Sequence, residues 1–452
     1  MKNRTLIILC LAVFILSLFY FFNKYHRRLS DTTIFGYDVW SYQSLGVNLC
    51  LGHGFQEGAL ETFSTYKFQN INPPNLNFIY FPPNGEKPEP LDSYFMKGGH
   101  YTFHRTPVYP FFLAIIYKLF GIHPRAVKIT QIILLALTSA GLTLISYYYW
   151  KTAGFFCGLV SSFIFVIFIA PEPTAIMAES LLVFGLLLFA GFLIFWEEKP
   201  TIIKIFFLGM ATTILIFIKA VNLFIPFIFL FYLFSKFKIN SKSFFFCLAF
   251  TAGLMTLVVP WSYYASQKCK NFVLLSNEHK IILLDSYNPY TFKFPKNLSW
   301  NSFTKYRPNR AWRLTPGGKN IFNQLTQNKI SSLKYALDFL VNSPDLAGML
   351  FFKLIIFLTD NYYQHSFLVI YIILLMFIFY LAHWSGKFTN LNQKEKVPLF
   401  PLIYFFNLLI ISLIFFGFYR LTKPFLPFFL IPAVYCPFFM ARLIWSLIKK
   451  RS

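Results

Sequence analysis

The residue best suited to acid–base chemistry is Asp38, a lone carboxylate in the aromatic segment Phe35-Gly36-Tyr37-Asp38-Val39-Trp40-Ser41-Tyr42. Partial desolvation among these rings would raise the proton affinity of Asp38 toward that of a general base. The alternative is a structural role, in which the side chain of Asp38 caps a helix that begins at Val39. The pattern after Ser41 predicts a short amphipathic helix that ends at Gly52-His53-Gly54.

Several cations lie where the chain meets apolar segments. His104 and Arg105 precede the apolar stretch that begins at Val108, and a guanidinium there can hold a phosphate by two parallel hydrogen bonds. The alternative is an arginine that reaches lipid headgroups. Lys219 and Arg420 each separate two apolar runs. We expect Arg105, Lys219 and Arg420 to converge at one membrane depth.

Glu179 lies about one turn into another apolar run, after Pro171-Glu172-Pro173. A carboxylate inside a membrane segment is a functional candidate because leaving it unpaired in hydrocarbon is costly. We consider a role in acceptor or metal binding, and as the alternative a charge that favours the local helix dipole. The cysteines and histidines show no zinc-site spacing, and a disulfide between Cys50 and Cys269 is one option.

The composition indicates which elements must position these residues. Of 452 residues, 56% are apolar, 21% aromatic and only 13% charged, which excludes an ordinary soluble fold and predicts a multi-pass membrane protein. The net charge of +24 favours membrane lipids or phosphate-bearing ligands as partners, and no nucleic acid is expected.

Hydropathy predicts an all-α polytopic protein with about ten transmembrane helices. The first run, Leu6 to Phe22, is interpreted as a retained anchor. The later spans are expected at 126–149, 155–170, 176–196, 201–218, 221–234, 243–260, 366–382, 399–418 and 425–446. Two shorter stretches, Val108–Phe120 and Leu346–Leu358, suit interfacial or re-entrant helices. The predicted helices 201–218 and 221–234 are short. They are either tilted or broken near a cavity, or merely thin helices.

The distribution of basic residues predicts the orientation. With both termini in the cytoplasm, most lysines and arginines of the short connections lie inside, as the positive-inside rule requires. Taken alone, the cations Lys24, Arg27 and Arg28 would favour the reverse orientation of the first helix. The whole of residues 1–452 is then one domain, in the plasma (inner) membrane, with external segments 23–107 and 261–350. The second segment has twelve basic and four acidic residues.

The sequence contains no repeat typical of secondary transporters and no glycine pattern of a nucleotide site. An activated donor would therefore be carried by a lipid.

Taken together, several motifs resemble the polyprenyl-phosphate-sugar-dependent membrane glycosyltransferases of the GT-C fold, similar to protein O-mannosyltransferases, the aminoarabinose transferase of lipid A and glycosyltransferase family 39. In chain order the motifs are Asp38-Val39-Trp40-Ser41-Tyr42, Leu45-Gly46-Val47-Asn48-Leu49, Gly52-His53-Gly54-Phe55, Arg105-Thr106-Pro107-Val108-Tyr109-Pro110, Ala178-Glu179-Ser180-Leu181, Val259-Pro260-Trp261-Ser262 and Tyr419-Arg420 with Pro424-Phe425-Leu426-Pro427.

The resemblance implies a GT-C-type bundle that transfers a sugar from a polyprenyl-phosphate donor to a hydroxyl of a lipid, glycan or protein acceptor. It implies that Asp38 corresponds to the first-loop catalytic acid and that Glu179 matches a Glu common at that place. Lys219 sits where family members often carry Arg. A divalent metal ion is left open, since Val39 replaces a second carboxylate that many members have after the first-loop acid.

Two other classes of function remain open. A lipid-linked glycan flippase or transporter would also need many spans and a cationic cavity, but it would not need a first-loop carboxylate. An O-antigen polymerase or ligase would depend more on the basic residues of 261–350.

Overall fold

The computed structural model describes residues 3–29, 37–56, 103–238, 240–276, 287, 332–342, 350, 353, 366–388, 397–414 and 423–451. These residues form helices and connecting turns, with no strand among them. The helices are α1 Asn3–Leu29, α2 Tyr37–Cys50, α3 Val108–Phe120, α4 Pro124–Ile164, α5 Glu179–Glu198, α6 Ile202–Ile218, α7 Ile225–Phe237, α8 Ser241–Cys269, α9 Ser332–Val341, α10 Ser366–Phe388, α11 Phe400–Ile414 and α12 Leu426–Arg451.

Within the described ranges, six helical stretches are long and apolar enough to cross a membrane. They are Arg4–Leu29, Pro124–Ile169, Glu179–Glu198, Ala220–Phe237, Ser241–Cys269 and Leu426–Trp445. Large apolar side chains such as Phe19, Phe163 and Phe231 are more than 60% exposed on these helices, which suits surfaces in contact with lipid rather than water. The chain is therefore an α-helical membrane-type protein, as its composition predicts, and the count of ten spans stays a prediction.

The longest helical stretch is a hairpin. At Trp150 and Lys151 the backbone leaves helical geometry, and Lys151 adopts a positive φ of 53°. Beyond this point the chain runs back along itself, so that the Ser162 hydroxyl donates to the Ser139 carbonyl at 2.6 Å. This reversal confirms the predicted break between residues 149 and 155.

Helix α1 packs along the first arm of this hairpin. The hydroxyl of Ser17 donates to that of Ser139 at 2.9 Å in the buried contact between them. At the other end of α1, the Lys128 ammonium donates to the carbonyl of Arg28 at 2.8 Å. A cation is favourable there because the last carbonyls of a helix carry partial negative charge.

Helices α6 and α8 cross at very short range because glycine occupies the contact on each side. A Cβ on Gly209 would lie 2.2 Å from the Phe250 carbonyl oxygen, and one on Gly253 would lie 2.0 Å from that of Phe206. The Thr213 hydroxyl also donates to the Leu254 carbonyl at 3.1 Å. Small residues and hydroxyl groups of this kind hold helices together in lipid, where no hydrophobic force acts between them.

Between α6 and α7 the helix is broken, as one reading of the sequence predicted. Lys219 is extended, with φ −158° and ψ 128°, and a single 3₁₀ turn at Ala220–Asn222 follows. The side-chain amide of Asn222 donates to the Leu215 and Lys219 carbonyls at 2.9 and 3.1 Å. From α11, Asn407 donates to the Val221 carbonyl at 2.8 Å. These amides satisfy backbone groups that the break releases.

Candidate functional site

An ion pair joins two of the candidate residues, Asp38 and Arg105, which are 67 residues apart in the chain. The Arg105 guanidinium Nη2 lies 2.5 Å from Asp38 Oδ1, and its side chain is only 7% exposed. Its Nε donates to the Ser41 hydroxyl at 3.3 Å, and the guanidinium lies over the Tyr42 ring at 5.0 Å. Asp38, Ser41 and Tyr42 therefore form one receptor for the guanidinium on the first turns of α2.

Asp38 lies in the first turn of α2. The helix includes Tyr37 and runs to Cys50, which confirms the predicted short helix and its end, where Gly52 and Gly54 have φ values of 82° and 83°. The carboxylate engages Arg105, and the capping role of Asp38 stays an alternative.

The residues before and after Arg105 in the sequence fix its position. Before it, Phe103 is fully buried and packs against Phe55 and Trp261, with ring centroids 5.2 and 5.4 Å away. After it, Thr106 and Pro107 lead directly into α3. Half-buried His104 lies in the same turn, beside Arg105.

A second ion pair joins Glu179 to Lys219 at 2.8 Å, with the two side chains 10% and 15% exposed. Glu179 is the first residue of α5, and Lys219 is the extended residue that ends α6. The helix break between α6 and α7 therefore places the ammonium group against the first turn of α5. A negative charge is also favourable there.

A hydrogen bond joins the chain segments that carry the two ion pairs. The Thr106 hydroxyl donates to the Ile218 carbonyl at 3.2 Å, so the neighbours of Arg105 and Lys219 in sequence touch each other. The site therefore holds two cations and two carboxylates at one end of the bundle. Arg420, the third predicted cation, lies outside the described residues.

Tyr109 and Gln131 pack behind Tyr42 and support this site. Sequence reasoning did not single them out. The Tyr109 ring packs edge-on against that of Tyr42 at 4.8 Å, and its hydroxyl donates to Gln131 Oε1 at 2.8 Å. The Gln131 amide in turn donates to the carbonyls of Pro173 and Ala175 at 2.8 and 2.9 Å. A buried glutamine in an apolar run was the available signal.

Further charges surround the two ion pairs. Arg28 and Glu172 form a more exposed ion pair at 3.3 Å. Arg28 is one of the three basic residues that by themselves would favour the reverse membrane orientation, and Glu172 gives it a local partner. Burial lowers the pKa of Lys423, and nearby Lys24 lowers it further, whereas Glu172 and Glu179 oppose the shift. Lys423 was missed, although it precedes a proline and an apolar helix much as Arg105 does.

The described residues contain no cluster of three His, Cys, Asp or Glu side chains suited to a metal ion. The divalent ion therefore stays a prediction, and no step below depends on it. Cys50 and Cys269 both have free thiols.

Comparison of the chain with protein-family profiles, with curated proteins and with solved structures finds no match.

Proposed function

We propose that the chain transfers a sugar from a polyprenyl-phosphate donor to an acceptor hydroxyl at the outer face of the membrane. The observation that carries this proposal is the Asp38–Arg105 pair near the Glu179–Lys219 pair, since Thr106 and Ile218, which adjoin Arg105 and Lys219 in sequence, are hydrogen-bonded to each other. It supplies a base and phosphate-binding cations within one small region. The GT-C-type bundle of about ten helices belongs to the same proposal.

The two ion pairs suit a resting site whose charges are mutually neutralised. A donor phosphate would compete with Asp38 for Arg105 and with Glu179 for Lys219, because a guanidinium binds phosphate by two parallel bonds. This exchange releases the Asp38 carboxylate when the donor is bound. Base and leaving-group stabilisation are then available together.

The reaction is an inverting single displacement. The acceptor oxygen attacks the anomeric carbon while Asp38 takes its proton, and a new C–O bond forms as the bond between that carbon and the phosphate oxygen breaks. The bonding electrons leave with the polyprenyl phosphate. Arg105 and Lys219, with Arg420 as a further predicted contributor, would stabilise the charge on that leaving group in a site with little water.

Asp38→Asn tests the proposal. The substitution keeps the shape of the side chain but removes the base, so we expect transfer in membranes supplied with labelled polyprenyl-phosphate sugar to fall by at least about a hundredfold. Expression and donor binding should persist. The matched control is Glu172→Gln, which removes a carboxylate from the same end of the bundle and should retain transfer.

Retained transfer in Asp38→Asn would refute the assignment of the base. A purely structural role predicts instead that the double variant Asp38→Asn/Arg105→Gln, which removes both charges of the pair, regains transfer. The proposed chemistry predicts that this double variant stays inactive.

A second candidate function is a lipid-linked glycan flippase. The extended backbone at Lys219 between two helices is a feature that transporters use to line a substrate path. Movement of a labelled lipid-linked glycan across vesicles without sugar transfer, unchanged in Asp38→Asn, would favour this function. The polymerase or ligase alternative depends on 261–350, most of which lies outside the described residues.

A further inference from the structure

A second group of cations lies at the opposite end of the bundle from the candidate site. Helix α5 is 20 residues long, beginning at Glu179 in the site and ending at Glu198, a length of about 30 Å. The start of α6, the end of α7 and the start of α8 lie at that far end, with Lys204, Lys236 and Lys242 in their terminal turns.

These three lysines lie on aromatic rings. The Lys204 ammonium is 3.6 Å from the centroid of the Phe195 ring, and that of Lys236 is 4.8 Å from the Trp196 ring. Lys236 and Lys242 share the Phe237 ring, at 5.8 and 5.4 Å. The ammonium groups of Lys236 and Lys242 are therefore within about 11 Å of each other, and the Trp196 and Phe237 rings near them are in contact, with centroids 6.4 Å apart.

Glu197 acts electrostatically on Lys236 and partly offsets its charge, but this interaction is looser than the ion pairs of the candidate site. Among the described residues, none of the three lysines has a carboxylate oxygen within salt-bridge distance. The nearby acids also accept hydrogen bonds from tyrosines, with Tyr232 donating to Glu197 at 3.2 Å and Tyr148 to Glu198 at 2.9 Å. Lys204 donates to the Phe195 carbonyl, a neutral acceptor.

We infer that Lys204, Lys236 and Lys242 form a binding surface for the headgroup of an anionic phospholipid, at the opposite end of the bundle from the candidate site. Lysines at the edge of an apolar bundle attract anionic headgroups, and aromatic rings at the same level are typical of a membrane–water boundary. The lipid phosphate supplies the anion, and its acyl chains lie against the exposed Phe231, Phe244 and Phe245. This inference does not depend on the proposed transfer activity.

The test compares lipid retention by the purified full chain in native mass spectrometry. The protein is mixed with equal amounts of phosphatidylglycerol and phosphatidylcholine, and retained lipid is measured for the unmodified chain and for the triple variant Lys204→Gln/Lys236→Gln/Lys242→Gln. We expect the preference for phosphatidylglycerol to fall at least about tenfold in the variant. A triple Lys→Arg variant, which keeps the charges and the ring contacts, should retain the preference.

The matched control removes three exposed lysines elsewhere, Lys118→Gln/Lys268→Gln/Lys270→Gln, and should keep the preference. An equal loss in this control, or no loss in the first triple variant, would overturn the proposal. If the first triple variant does not insert, Lys242→Gln alone should lower the preference about threefold, and no change would overturn it.

A separate arm distinguishes a lipid from a free anion. Inorganic phosphate at millimolar concentration should leave the retained phosphatidylglycerol unchanged, because the site also needs the acyl chains. Complete displacement by inorganic phosphate would overturn the assignment to a lipid headgroup.

Discussion

Glu179→Gln should lower the stability of the protein and raise its affinity for a lipid phosphate. In the resting structure Glu179 and Lys219 are 2.8 Å apart with side chains only 10% and 15% exposed. Removing one partner of such a pair leaves a largely buried charge without compensation, at a cost of about 3 kcal/mol. The double variant Glu179→Gln/Lys219→Met removes both charges and should recover most of this stability.

The affinity of Glu179→Gln for a lipid phosphate should rise, although its stability falls. In the unmodified protein a phosphate must first displace Glu179 from Lys219, whereas in Glu179→Gln the ammonium has no carboxylate to lose. The gain in binding free energy is smaller than the loss of stability, because a Glu179 side chain displaced from Lys219 is still attracted by the positive charge of Lys423. We therefore expect binding about tenfold tighter, which corresponds to about 1.4 kcal/mol.

Two measurements on the detergent-solubilised chain check these expectations. Denaturant unfolding gives the stability, and equilibrium binding of labelled polyprenyl phosphate gives the affinity. The control Glu172→Gln disrupts a pair whose side chains are 65% and 39% exposed, so it should cost less than about 1 kcal/mol and change affinity less than about twofold. Unchanged or weaker binding in Glu179→Gln would refute the exchange of carboxylate for phosphate.

Two more predictions concern the surroundings of the ion pairs. Tyr109→Phe leaves the buried Oε1 of Gln131 without its 2.8 Å donor, so unfolding in denaturant should show a loss of about 1–2 kcal/mol; an unchanged midpoint would contradict the supporting role of this contact. Lys423 has a pKa below the ordinary 10.5 because it is buried, and only its protonated form attracts a phosphate, so binding of polyprenyl phosphate should weaken as pH rises toward 10.5. Lys423→Arg, which stays charged throughout this range, should flatten that decline, and an identical profile in the two proteins would exclude Lys423 from binding.

Much of the fold follows from local features of the sequence. The run 176–196 predicted a helix that the structure has at Glu179–Glu198, and a break at Lys219–Ala220, one of the two readings of that junction, separates α6 from α7. These features are local because apolar length and helix-ending residues act within a few turns. The hairpin at Trp150–Lys151 was predicted for the same reason.

The composition of the candidate site was predicted less completely. Asp38, Arg105, Glu179 and Lys219 were each singled out by residue type and position, but the sequence did not show that they form two neutralised pairs. Asp38 and Arg105 are 67 residues apart in the chain, so their contact depends on how α2 packs against the turn before α3. Tyr109, Gln131 and Lys423 were not singled out, because their roles depend on contacts with residues of other helices that no spacing pattern indicates.

The amino-acid sequence by itself determined that this protein is a helical membrane-type chain and roughly where several of its apolar helices lie, because helix formation and lipid exposure depend on local apolar length. Only the tertiary structure decided which charges meet. Glu179 and Lys219 are 40 residues apart and belong to different helices, and Thr106 reaches Ile218 across 112 residues. Such contacts depend on how whole helices pack. Close helix crossings, such as that of Gly209 against Phe250, decide which helix ends become neighbours.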